Sequence, residues 1–366
     1  MAAAKKSTLG FGIVGLGMIA EFHAKAIEAM TGGKLVACFS RSAEKAKTFA
    51  AAHACTAYSD LKKFLADPNL DVVCICTPSG AHRDPAVAAA HAGKHVVVEK
   101  PLEITLERCD AILAACAKNK VKLATIFPSR FSDVNQTIKQ AVDAGRLGKK
   151  TVCSGYTKWH RTQQYYDSGA WRGTWDLDGG GALMNQSIHN IDLLLWFMGD
   201  VVEVQAFAKC MIHKRIEVED AAVATLKFKN GAIGVFEGST ACWPGFPNQI
   251  ELCGSDGTIV SSGSDLIEWK FAAPATNDAK IAKQFETKSG ASGGASDPKA
   301  ISFVGHQRQL EDFARVVLGK QKKPLCDGKE GRRAVELILA IYQSALTGKK
   351  VTLPLKKTPV RKPFAK

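Results

Sequence analysis

A glycine turn set between an apolar strand and a helix constrains this chain more than any other feature. Leu9-Gly10-Phe11-Gly12-Ile13-Val14 reads as a buried strand, Gly15-Leu16-Gly17-Met18-Ile19-Ala20 as the turn, and residues 21–30 as an amphipathic helix. In a G-x-G-x-x-A turn the first glycine permits the tight bend and the second lets the backbone approach a pyrophosphate. The alanine allows close packing of helix on strand. The helix N-terminus then offers unbonded N–H groups and the positive end of its dipole to phosphates. A glycine fingerprint is weak alone, but a strand before it and a helix after it make it specific. Gly15, Leu16, Gly17, Met18 and Ile19 are therefore candidate cofactor-binding residues.

Strand and helix continue to alternate past this unit. Strands are expected over residues 34–39, 71–76, 95–98 and 122–127, with helices over 82–92 and 105–119. That alternation specifies a doubly wound parallel sheet, an α/β domain spanning residues 1–127. In such a sheet the carboxyl ends of the strands face the ligand. Three of those ends carry chemistry. The second strand ends in Ser40-Arg41, where an NAD enzyme usually places an acid for the ribose hydroxyls. Serine with arginine suits a 2′-phosphate, so NADP is favoured over NAD, with either open. The next closes in Thr77-Pro78-Ser79, with His82 soon after. His95-Val96-Val97-Val98 runs directly into Glu99-Lys100-Pro101, and β-branched residues ending in a charged pair place Lys100 at the ligand crevice.

Beyond residue 128 the texture changes. Strands over 151–156, 201–213, 221–228, 232–239 and 249–252 succeed one another without crossover helices, and Asn230-Gly231 marks a hairpin. This predicts an α+β second domain over 128–366 with a large, mostly antiparallel open sheet. Residues 286–299, rich in Ser, Gly and Ala, read as a loop, and 303–318 and 331–346 as helices. A second polar cluster lies on the helix expected over 179–198. Asn185, His189 and Asp192 fall at i, i+4 and i+7, one face of a helix. The approach to it carries Arg161, Tyr165, Tyr166, Trp171 and Arg172, side chains that stack on sugar faces and fork onto hydroxyls or carboxylates.

Composition excludes other classes. A chain of 366 residues with net charge +14 could suit nucleic acid, but its lysines are dispersed and no nucleic-acid motif appears. The charge implies a general attraction for anionic cofactors or substrates. Apolar runs are too short to span a bilayer. The 11 cysteines include no CxxC, which argues for reduced thiols in a cytoplasm and against a disulfide framework or a zinc site; no metal is expected.

With Glu99-Lys100-Pro101, the fingerprint, the Thr77-Pro78 turn with His82, Gly93-Lys94-His95, the glycine-run helix, Asp312-Phe313 and residues 340–345, the chain resembles the glucose–fructose oxidoreductase / inositol dehydrogenase / MocA family over nearly its whole length. The resemblance implies a Rossmann domain, a sugar or cyclitol substrate, and catalytic roles for Lys100 and His189. It makes Glu99 and Lys100 part of the cofactor site along with Ser40, Arg41, Thr77, Pro78, Ser79 and His82. Asn185, Asp192, Arg161, Tyr166, Trp171 and Arg172 become substrate-binding candidates. Many relatives carry Asp where this chain has Asn185, which cannot accept a proton, so acid–base work falls to Lys100 or His189. The Asn-Gln pair is similar to pyranose-type members that oxidise the hydroxyl at the third carbon. The resemblance also implies a homodimer or homotetramer. Two alternatives share the fold: an NAD-dependent glycosidase working through a 3-keto sugar, and a non-catalytic NAD(P)-binding regulator.

Overall fold

The computed structural model describes residues 7–286 and 302–364, so most of the expected loop at 286–299 lies outside the described residues. The chain divides into two units, residues 1–128 with 302–333, and residues 129–301 with 334–366.

The first unit is a six-stranded sheet, every pair parallel: β1 (Leu9–Val14), β2 (Gly33–Phe39), β3 (Thr56–Tyr58), β4 (Val72–Ile75), β5 (His95–Val98) and β6 (Leu123–Thr125). The spatial order is β3-β2-β1-β4-β5-β6, the doubly wound arrangement, and the chain reverses its lateral progress between β1 and β4. Helices α1 (Met18–Ala29), α2 (Ala43–His53), α3 (Leu61–Leu65), α4 (Arg83–His91) and α5 (Leu106–Lys118) make the connections. Ser42, Asp60 and Thr105 cap α2, α3 and α5 through side-chain oxygens that accept first-turn N–H groups. β1, β4 and most of β5 are buried, as continuous apolar runs in a parallel sheet demand.

The division departs from a single boundary at residue 127. The helix Val304–Val317 carries an apolar stripe, Leu310, Phe313 and Ala314, that completes one core with Phe11, Ile13, Ala20, Ala24 and Ile27. Gln309 ties it further, accepting the Phe127 N–H at 2.9 Å and donating to the Thr125 carbonyl at 2.7 Å. The residues that cover α1 are thus supplied from far along the sequence, which helical periodicity cannot reveal.

The second unit is an eight-stranded sheet of β7 (Lys150–Lys158), β8 (Val201–Lys209), β9 (Ala221–Phe228), β10 (Ile233–Ser239), β11 (Gln249–Gly254), β12 (Gly257–Ser262), β13 (Asp265–Phe271) and β14 (Val351–Thr352). Its order is β13-β12-β11-β7-β10-β9-β8-β14, with β7 and β10 parallel and every other pair antiparallel. β9 and β10 form the hairpin at Asn230-Gly231. Helices α6 (Asp133–Asp143), α7 (Gln163–Asp167) and α8 (Ile188–Met198) belong to this unit. The chain enters α8 through a π-helical turn over Ala182–Ser187, where the sequence pattern predicts a regular helix. No helix among the described residues is long and apolar enough to cross a membrane.

Candidate functional site

In the first unit the ends of β1, β2, β4 and β5 bring the sequence-predicted residues to one edge. Gly15 has φ +91°, and a Cβ there would lie 2.8 Å from the Cys76 carbonyl and the Thr77 nitrogen, so only glycine fits the turn. Gly17 differs. A Cβ on it would meet nothing within 4 Å, and no side chain caps the α1 N-terminus that it begins. The protein interior does not require glycine at 17, whereas a pyrophosphate on the first turn of α1 would. Met18 is exposed beside it, and Leu16 and Ile19 pack on the core. Ser40 is half-buried and its hydroxyl accepts the Ser42 N–H at 3.2 Å, while Arg41 is exposed.

Lys100 directly succeeds β5 and is half-buried, with a cis peptide to Pro101. Glu99 and His82, expected at the cofactor, are buried and hold the turn that carries Lys100. One carboxylate oxygen of Glu99 lies 2.8 Å from His23 Nε2 and 3.4 Å from His306 Nε2; the other accepts the Lys100 N–H at 3.1 Å. Burial pushes the Glu99 carboxyl up, but the two imidazoles outweigh it and hold the group well below the usual carboxylate range. These three side chains also have metal-ligand chemistry, their donor atoms within 4.8 Å of one another, but 2.8 Å is a direct hydrogen bond. His82 Nδ1 sits 2.9 Å from the Pro101 carbonyl and Nε2 2.9 Å from the Thr77 carbonyl, bridging the turns after β4 and β5. The Thr77 hydroxyl donates to the Ala81 carbonyl, Ser79 is buried in a short turn, and Pro78 is exposed at the edge.

In the second unit, every residue from 178 to 195 is buried except Asn185 and His189. Asp192, expected beside them, is 1% exposed and faces the core, where its carboxylate takes both prongs of the Arg130 guanidinium at 2.6 and 2.7 Å. The π-helical turn is the physical reason: 3.6-residue spacing does not hold through it, so i+7 does not stay on the face of i. The start of that turn is set by Glu219, which sequence reasoning missed. A Cβ on Gly181 would lie 1.7 Å from the Glu219 carbonyl oxygen. The Glu219 carboxylate accepts the N–H groups of Gly181 at 2.9 Å and Leu183 at 2.8 Å and the Tyr342 hydroxyl at 3.1 Å.

Burial pushes the Glu219 carboxyl up to about 7 despite those three donors. Its folded pKa is raised, so between the ordinary carboxylate range and about pH 7 the native state binds the extra proton. Stability should therefore fall as pH rises from about 4.5 to about 7, by roughly 3 kcal/mol from this group. Urea unfolding across that range should show the decline, and Glu219→Gln should flatten it. An unchanged slope in the variant would count against the assignment.

The aromatic approach assembles around Tyr165. Arg172 lies 4.2 Å from its ring and donates to its hydroxyl at 2.7 Å, and the same guanidinium lies 4.5 Å from the Trp171 ring. Arg161 lies 5.5 Å from the same ring and 4.9 Å from Trp159. Gln186 donates to the Tyr165 hydroxyl at 3.0 Å, joining this cluster to the glycine-run segment. Tyr166, the expected ligand, is 2% exposed, with its hydroxyl 2.8 Å from Thr240 Oγ1; its neighbour Tyr165 takes the accessible place. Asp178, also missed, accepts the Asn185 side-chain N–H at 2.7 Å.

Two family models match this arrangement, an oxidoreductase family with an NAD-binding Rossmann fold over residues 9–127 and a GFO/IDH/MocA C-terminal domain over residues 135–260. The WlbA dehydrogenase from Bordetella pertussis, solved with NADH and UDP-GlcNAcA, is 32% identical, with a TM-score of 0.86 over 96% of this chain and 100% of its own. The inositol 2-dehydrogenase/D-chiro-inositol 3-dehydrogenase of Halalkalibacterium halodurans is 31% identical over 73% of this chain and 75% of its own. The myo-inositol 2-dehydrogenase of Thermotoga maritima is 30% identical over 68% and 73%. With both parts matched in order along one chain, this protein belongs to the GFO/IDH/MocA oxidoreductase family and is an NAD-binding oxidoreductase.

Proposed function

We propose that this protein moves a hydride between a nicotinamide and a secondary hydroxyl of a sugar, sugar derivative or cyclitol, with the hydroxyl at the third carbon of a pyranose as the reacting group. The observation that carries the reading is the buried stretch 178–195 that exposes only an amide and an imidazole, Asn185 and His189. A hydrogen-bonding pair of that kind suits a hydroxyl-bearing substrate. Lys100 is the proton acceptor in oxidation, or His189 is. Asn185 orients the ring, and Trp171 and Arg172 supply a stacking face and a cationic fork for the substrate's remoter parts. When bound, the nicotinamide supplies the hydride acceptor. Gly15, Gly17, Met18 and Ile19 hold the pyrophosphate, and Thr77 and Pro78 border the same edge. Oxidation of a pyranose deuterated only at the third carbon should place deuterium in the NAD(P)H formed. Unlabelled NAD(P)H would move the reacting carbon elsewhere.

Cofactor choice rests on Ser40 and Arg41, which leave the ribose end without a carboxylate, so NADP is accepted alongside NAD. Ser40→Asp should repel a 2′-phosphate and shift the NADP-to-NAD ratio of kcat/KM toward NAD by about tenfold or more. If wild-type turnover is strictly NAD-dependent and Arg41→Ala changes neither constant, this reading is wrong.

A further inference from the structure

Asp178 takes no part in the proposed chemistry, yet it is 2% exposed and both of its oxygens are engaged. Oδ2 accepts the Gly173 N–H at 2.8 Å, anchoring the turn that displays Trp171 and Arg172. Oδ1 accepts the Asn185 Nδ2–H at 2.7 Å. A carboxylate can only accept, so the amide nitrogen must face it; the flipped amide would bring two acceptor oxygens together at that distance. The Asn185 carbonyl oxygen is therefore the end turned away from Asp178.

From this geometry we propose that Asp178 is a positioning and specificity-determining residue. It locks the Asn185 carboxamide in one orientation and so sets which polar group position 185 turns toward the substrate hydroxyls. The inference rests on the reading that Asn185 faces the substrate. Its chemistry is that of a polyol reader. A site built to bond a hydroxyl rejects the analogue that lacks it, because the protein's polar group is then left unsatisfied. Asn185→Asp alone would set two carboxylates in contact, and one would have to stay protonated.

The test is a swap comparing wild type, Asn185→Asp, Asp178→Asn, and the double variant, in which the amide at 178 would donate to the carboxylate at 185. The first readout needs no turnover. In thermal unfolding, Asn185→Asp should fall below wild type by about 3 °C or more, with the deficit growing from pH 4 to pH 8 as the second carboxylate is forced to ionise. The double variant should recover most of the deficit. Glu219 is present in all four proteins and cancels in the difference, and the comparison is made in a His189→Asn background, which removes the imidazole one turn from position 185. Tyr165, Tyr166 and Tyr342, the phenols that feel the Asp178 charge, ionise above the range. A pH-independent deficit, or a double variant no better than Asn185→Asp, would overturn the proposal. The second readout is kinetic, with myo-inositol as probe. Asp178→Asn, whose partner amide can flip, should raise KM about tenfold while kcat changes less. Unchanged KM with normal turnover would overturn the substrate role. A wild type that turns over no polyol would instead sink the functional reading and leave the unfolding result to decide the pairing.

Discussion

Replacing Lys100 with Ala should cut turnover by about 10²–10⁴-fold, the loss expected on removal of a positioned general acid–base group. Cofactor affinity, read by fluorescence titration, should change far less, because the proposed pyrophosphate site is at Gly15, Gly17 and the start of α1, away from the Lys100 side chain. The substitution should also leave the fold intact. The turn carrying Lys100 is fixed through the backbone, by Glu99 on the Lys100 N–H at 3.1 Å and by His82 on the Pro101 carbonyl at 2.9 Å. A folded variant with intact cofactor binding and near-normal turnover would remove Lys100 from the chemistry and leave His189 to do the work. His189→Asn is the matching control, since an amide keeps the hydrogen bonding and gives up the titration.

Asp192→Ala should be the most destabilising substitution in the second unit, at about 3–5 kcal/mol. It would remove the carboxylate from an Arg130 guanidinium that is 1% exposed and lies 5.2 Å from the Trp196 ring. A buried charge without its partner keeps the full desolvation penalty, whereas removing both charges removes the penalty as well. Asp192→Leu combined with Arg130→Met should thus recover most of the loss. In thermal unfolding the single substitution corresponds to a drop of about 6–20 °C for a unit of this size. A substrate ligand would behave differently, with a raised KM and ordinary stability. That outcome would return Asp192 to the substrate set in which helical spacing groups it.

The contrast between Lys100 and Asp192 shows where sequence reasoning holds. β5 ends where its β-branched run ends, and a charged pair after such a run can be read locally. The same is true of Gly15 and Gly17, whose spacing states its own geometry. Helical arithmetic groups Asp192 with Asn185 and His189, and the π-helical turn over Ala182–Ser187 cancels that arithmetic. The group that holds its start, the Glu219 carboxylate on the Gly181 and Leu183 amides, lies more than thirty residues away in sequence. Asp178 precedes the glycine run and looks like a turn residue; its bond to Asn185 exists only once the turn has formed. Tyr165 and Tyr166 are adjacent, and composition cannot say which of them is turned inward. Glu99 and His82 carry the right chemistry for a cofactor site, and both are also buried and bonded to the turn that carries Lys100, a role the sequence does not announce.

The central claim, hydride transfer from a sugar or cyclitol hydroxyl, is tested most directly by a reduction screen. Purified protein would be mixed with NAD or NADP and a panel of pyranoses, uronates, anhydrosugars and inositols, and net NAD(P)H monitored by absorbance. Accumulation of NAD(P)H with at least one panel member, abolished or cut at least about a hundredfold in Lys100→Ala, is the predicted result. Glycoside cleavage without net NAD(P)H, or tight cofactor binding with no turnover of any member, would contradict it.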